Sequence, residues 1–294
     1  MKIFSANQIG LCAAESLKKN RSGEVIGITS KGVFLKLADQ SILFLSNSRF
    51  GNPLTININS DLSVLPVHPG EPVNLSETTI HFEHSSTIIQ TSKVTIYSSK
   101  RLSSPISTLP DLKQSVAVLL TLRSRLDHSV ALLEEVLAFM DNSSPAHPSE
   151  SETQLALERL VQNAIASPAN CFLPIRFFAG RGRGLTPSGD DLLMGWIYTL
   201  YRWAGSPKLD LSQLHQVLLR AIESRTTSIS LNLVKAAAQG EIDERLLHAF
   251  AMITGLRPVE DYAIQDVLEW GSSSGIEVCA GMGLGIFTLN RLIV

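Results

Sequence analysis

The chain has 294 residues, a formal net charge of −2 from 25 basic and 27 acidic side chains, and three cysteines. That length buries one large core or two smaller ones, and a near-neutral balance lacks the basic footprint of a nucleic-acid binder. Cys12, Cys171 and Cys279 are far apart with no Cys-x-x-Cys spacing, which excludes a disulfide framework or a structural zinc site and suits the cytoplasm.

No long apolar run follows Met1, so no secretory signal is expected. Residues 8–19 read as a short amphipathic helix ending in Lys18 and Lys19, stopped by Asn20-Arg-Ser-Gly23. From Glu24 to Tyr97 the signal changes to strand: Val25-Ile-Gly-Ile28, Gly32-Val-Phe-Leu-Lys-Leu37, Ser41-Ile-Leu-Phe-Leu45, Leu54-Thr-Ile-Asn-Ile58 and Val94-Thr-Ile-Tyr97 are short, β-branched or alternating, and separated by turns. No helical stretch long enough for a parallel crossover divides them, so a small antiparallel sandwich or barrel is expected. His81 and His84 fall on opposite faces if extended and do not share a metal easily. Arg49-Phe-Gly-Asn-Pro53 reads as a surface turn.

The proline- and serine-rich stretch 101–110 looks like a boundary, giving an α+β chain with a β-rich domain over 1–108 and a compact multi-helix domain over 109–294. Leu119, Leu122, Leu126, Val130, Leu133 and Leu137 recur at spacings of three and four, an apolar stripe that is either core or a partner interface. Residues 141–150 read as a polar loop, with His147 solvated. Further helices are expected over 151–166, from Ser188, and over 210–224, 228–238, 241–254 and 259–270, with connections at Gly205, Pro207, Gly240, Gly255 and Pro258. The last, from Val278, carries Gly281, Gly283 and Gly285, which are most simply explained by close approach of neighbouring helices. Its uncharged run to Asn290 is too short to span a bilayer, so no membrane partner is expected.

Chemistry concentrates in Gly180-Arg-Gly-Arg-Gly-Leu-Thr-Pro-Ser-Gly-Asp-Asp191. Glycines there allow positive φ and close backbone approach. Ser188 with Asp191 reads as a capping box, and Asp190 and Asp191 complement the helix dipole. The stretch is either an ordinary structural turn or an anion site, but it lacks the lysine of a P-loop and the third glycine of a dinucleotide motif. Two more helix starts repeat the theme. Arg225-Thr-Thr-Ser-Ile-Ser230 offers four hydroxyls and a guanidinium, for capping or as a polar wall, and Gly271-Ser-Ser-Ser-Gly-Ile-Glu277 precedes the last helix. A shared pocket is expected where these three starts converge.

Gly184-Leu-Thr-Pro-Ser-Gly-Asp-Asp191, Thr226-Thr-x-Ile-Ser230 and Ser273-Ser-Gly275, in this order, resemble the AllH family, and Gly51-Asn-Pro53 is similar as well. The chain departs from the family pattern at Ser272, where a histidine is expected, and at Glu277, where an aspartate is. Arg181 and Arg183 are not counted as family residues. The resemblance implies a subunit of an oxamate carbamoyltransferase that works with other carbamoyltransferase subunits in allantoin catabolism, exchanging a carbamoyl group between oxalurate and phosphate. The alternative is a non-catalytic subunit that binds an anionic metabolite or scaffolds partners. The candidate catalytic residues are Asp190 and Asp191, with Mg²⁺ as the one cofactor considered. Gly184, Thr186, Ser188, Gly189, Arg225, Thr226, Thr227, Ser230, Ser273, Ser274 and Gly275 are the candidate contacts to a small anionic substrate.

Overall fold

A computed structural model describes residues 1–61, 64–103, 106, 108–141, 151–203 and 209–292. The expected loop around His147 and the connection at Gly205 and Pro207 lie outside the described residues. The chain divides into two compact units, Met1–Leu102 with Glu241–Glu244, and Ser103–Gly240 with Arg245–Val294.

The first unit is a barrel. β1 (Lys2–Gly10) leads into α1 (Leu11–Lys19). β2 (Ser22–Thr29), β3 (Gly32–Leu37), β4 (Ile42–Ser46), β5 (Thr55–Ile58), β6 (Pro72–Leu75), β7 (Thr79–Phe82), β8 (Thr87–Gln90) and β9 (Thr95–Tyr97) follow. The pairing order β5-β4-β3-β2-β6-β7-β8-β1 closes through β1–β5, and β9 adds to β1. Closure leaves these eight strands without a free edge. Alternation places Val33, Leu35 and Leu37 inside with Leu43, Leu45, Ile56, Phe82 and Ile89.

Three expectations change here. Residues 2–10 are strand, so the first helix begins at Leu11 rather than at residue 8. Mixed polarity within Lys2–Gly10 hid a strand whose partners lie far along the chain. The sheet is also not wholly antiparallel: β1 runs parallel to β8 and β9, and β4 to β5. β1 reaches β8 and β9 from the far end of the unit, and the short segment 47–54 carries the chain back between β4 and β5, so no crossover helix is required. Finally, Arg49–Pro53 is not a plain surface turn. Gly51 is buried, and a Cβ there would stand 2.0 Å from the Tyr97 ring. The strand assignment separates the two histidines, with His81 on β7 and His84 in the following turn.

The segment 241–243, read from the sequence as helix, is instead a non-helical strap within this unit, and the helix begins at Glu244. The buried Glu241 carboxylate accepts from Ser98 Oγ (2.6 Å), Ser99 N (2.9 Å) and Ser99 Oγ (3.3 Å). Asn52 Nδ2 donates to Asp243 Oδ2 (3.1 Å), Gly51 N to Glu244 Oε2 (2.8 Å) and the Tyr97 hydroxyl to the Ile242 carbonyl (2.8 Å). Burying a carboxylate is tolerated because its lone pairs are filled, and removing it strands those donors. Glu241→Ala is expected to cost on the order of 3 kcal/mol in urea unfolding. A loss below about 0.5 kcal/mol would contradict this account of the strap.

The helical unit contains α3 (Leu112–Ser124), α4 (Ala131–Met140), α5 (Glu152–Ala166), α6 (Phe172–Phe178), α7 (Ser188–Arg202), α8 (Leu211–Ile222), α9 (Ser228–Ala237), α10 (Glu244–Ile253), α11 (Asp261–Leu268) and α12 (Ser274–Arg291). A short turn, α2 (Ser99–Leu102), ends the barrel unit. The leucine stripe is broken between α3 and α4, and Leu119, Leu122, Leu133 and Leu137 are all buried within the chain. It is therefore core, not a partner interface.

α7 and α12 form the centre of this unit, and α12 also packs on α3, α4 and α5. Their crossing depends on missing side chains. A Cβ on Gly195 would stand 2.0 Å from the Val278 carbonyl oxygen, one on Gly281 2.0 Å from that of Leu192, and one on Gly285 2.5 Å from Thr199 Cβ. The helix-propensity cost of these glycines is offset by backbone contact at the crossing. Among the described residues no helix is long and apolar enough to cross a membrane. Cys171 and Cys279 are free, with thiols pushed up to about 12 by burial, which makes them unreactive packing groups.

Candidate functional site

α6 ends at Phe178, and the chain turns through Gly180, Gly182 and Gly184 at φ values of +72°, +116° and +102° before entering α7. Gly180 requires its glycine twice over, since a Cβ would also meet the Arg225 carbonyl oxygen at 2.0 Å. The expected capping box does not form. Pro187 holds the N-cap position of α7 with no side-chain hydrogen bond, and Ser188 is the first helical residue. Ser188 lies one residue inside the helix, past the N-cap position from which a side chain reaches the amides of the first turn.

Asp190 is 1% exposed, and both its oxygens are taken by the protein. Gly180 N donates to Oδ1 (2.8 Å), while the hydroxyls of Thr226 and Ser230 (2.9 Å) donate to Oδ2. Burial pushes this carboxyl up from its ordinary value, opposed by those three bonds, that from Thr226 first. Asp190 thus ties the glycine turn to the start of α9. Thr227 caps α9 by accepting from Ser230 N (3.0 Å) and also donates to the Leu185 carbonyl (2.5 Å). Arg225 is exposed, and its Nε reaches the Ala179 carbonyl at 3.5 Å.

The third start joins from the other side. Thr186 Oγ1 and Ser274 Oγ share a 2.9 Å hydrogen bond, and Ser273 Oγ donates to Glu277 Oε2 at 3.2 Å. Asp191 is 1% exposed and Glu277 5%. Asp191 Oδ2 has no hydrogen-bond partner among the described residues. Its carboxyl is pushed well up, chiefly by burial and further by the charges of Glu277 and Asp190, while the Ser274 and Thr186 hydroxyls pull the other way.

The structure therefore brings the starts of α7, α9 and α12 together around residues 185–191. Two of the glycines have their amides committed: Gly189 N donates to the Arg181 carbonyl (2.9 Å) and Gly275 N to that of Trp270 (3.0 Å). Both serve close packing, because a Cβ would stand 2.0 Å from the Phe178 oxygen at position 189 and 2.2 Å from the Val267 oxygen at 275. By contrast, the amides of Gly182, Arg183, Gly184 and Leu185 make no hydrogen bond to described residues. Each of the three helix starts presents a partial positive charge of about half a unit, so the geometry suits an anion in contact with Thr186, Ser273, Ser274 and the loop amides. In the sequence Glu277 stands out only as a departure from the family pattern and an i, i+4 partner of Ser273, whereas its charge acting on Asp191 emerges from the fold.

This combination, a closed β-barrel unit with a helical unit whose three helix starts meet at a glycine turn, defines an α+β protein. Residues 178–286 match the family model of AllH, described as oxamate carbamoyltransferase subunit AllH. The matched segment runs from the end of α6 into α12 and contains every residue of the three helix starts. The resemblance read from the sequence holds over this segment. No solved structure matches this chain.

Proposed function

We propose that this chain is the subunit of a cytoplasmic oxamate carbamoyltransferase assembly that binds a small anionic substrate at the joined starts of α7, α9 and α12. The observation that carries the reading is the convergence itself, since separate capping motifs need not meet. In the reaction a phosphate oxygen attacks the ureido carbonyl carbon of oxalurate. The bond from that carbon to the oxamate nitrogen breaks, and the nitrogen leaves as the amide after taking the proton released by phosphate. Oxamate and carbamoyl phosphate result. Phosphate is the nucleophile, so the protein needs no activated side chain. Positioning and charge stabilisation supply the acceleration.

In this reading Thr186, Ser274 and the free loop amides hold the anion, Asp190 keeps the loop on α9, and Asp191 faces the bound group. The alternative of a scaffold is less favoured, because the leucine stripe that would have served it is core. With partner subunits reconstituted, Thr186→Val is expected to lower the transfer rate about 100-fold with the helical circular dichroism unchanged. An unaltered rate would remove the site from the reaction.

A further inference from the structure

Asp191 and Glu277 are two carboxylates carried by different helices, both withdrawn from solvent, with Asp191 Oδ2 unpartnered among the described residues. Among the described residues neither forms an ion pair. Two guanidiniums of the adjoining segments are engaged elsewhere: Arg181 lies 4.0 Å over the Phe177 ring, and Arg225 reaches the Ala179 carbonyl. Asp190 adds a third carboxylate next in sequence, but its oxygens are filled by Gly180, Thr226 and Ser230. Uncompensated charge of this kind is costly to bury, and an anionic substrate beside it would add repulsion.

We infer that Asp191 and Glu277 hold a divalent cation of the Mg²⁺ class at the junction of α7 and α12. Hard cations take oxygen ligands, and Mg²⁺ in particular is held by one or two carboxylates, with waters and substrate phosphate completing its octahedron. The donor set fits this pattern: two carboxylates, with the hydroxyls of Thr186, Ser273 and Ser274 beside them. Among the described residues no three His, Cys, Asp or Glu side chains gather as a full metal cage. The cation offsets the carboxylates and turns a site lined by negative groups into one that accepts a phosphate. This last step rests on the transferase reading, whereas the cation site does not.

The test is Mn²⁺ titration of the full chain at pH 8, followed by electron paramagnetic resonance and calorimetry. One ion per chain is expected, displaced by Mg²⁺, with affinity at least tenfold weaker in Asp191→Asn and Glu277→Gln and unchanged in the exposed control Glu223→Gln. No saturable binding by the wild-type chain at millimolar Mn²⁺ overturns the proposal, whatever the variants do. So does undiminished binding in both folded variants. Inorganic phosphate added to the Mn²⁺-loaded chain separates the two readings. A changed resonance supports phosphate completing the sphere, whereas saturable Mn²⁺ binding with no phosphate effect upholds the cation site and counts against the transferase reading alone.

Discussion

Gly281→Ala is expected to destabilise the helical unit by about 3 kcal/mol or more, and Gly195→Ala by a similar amount. Each adds one methyl group where the partner helix backbone leaves none: a Cβ at either position would stand 2.0 Å from a carbonyl oxygen, Leu192 in one case and Val278 in the other. A rigid backbone cannot rotate away as a side-chain tip can, so α7 and α12 must separate and surrender contacts along their length. Tryptophan emission during urea unfolding measures this selectively, because Trp196, Trp203 and Trp270, the chain's three tryptophans, all belong to the helical unit. Gly184→Ala is the informative contrast. Nothing lies within 4 Å of its added methyl, and only the φ of +102° resists it, so a cost of about 1–2 kcal/mol is expected. Gly281→Ala within 0.5 kcal/mol of the parent would disprove the close crossing.

The second large effect concerns Asp191 and pH. Burial, and then the charges of Glu277 and Asp190, raise its carboxyl in the folded chain well above the ordinary value of 3.8. The native state consequently holds a proton that the unfolded chain gives up. Stability conferred by this group is full below the ordinary carboxylate range and is lost as pH rises through the raised native value. Each unit of elevation corresponds to about 1.4 kcal/mol at pH above it. In buffer containing a chelator, Asp191→Asn is expected to unfold at a higher temperature than the parent at pH 8, with the difference closing toward pH 4. A shift of roughly 2–4 °C accompanies each kcal/mol in a unit of this size. Scanning calorimetry across that range decides it, and a parent more stable than the variant at pH 8 without metal would reverse the sign. The same substitution removes a proposed cation ligand, so added Mg²⁺ should narrow the gap by stabilising the parent alone.

Local chemistry made the site residues legible. Glycines at alternate positions, hydroxyls before apolar runs and paired acids are features of neighbouring residues, and they mark helix starts wherever the rest of the chain lies. The α+β order and the helices over 152–166, 188–202 and 211–222 were readable for a related reason, because the 3.6-residue period is written into consecutive side chains. β6, β7 and β8 are established by pairing with β2, with one another and with β1, partners that no local pattern names.

Composition and periodicity alone determined that this chain has a β-rich part before a helical part, and that three glycine- or hydroxyl-rich helix starts carry its polar chemistry. Only the tertiary structure decided that the barrel closes through β1 and β5, that residues 241–243 are a strap rather than helix, and that Asp190 is bound within the protein while Asp191 keeps an oxygen unpartnered among the described residues. Apart from the Gly180–Asp190 bond, those outcomes depend on contacts between residues 36 to 193 positions apart. No local pattern encodes which of several carboxylates will find a donor across such distances.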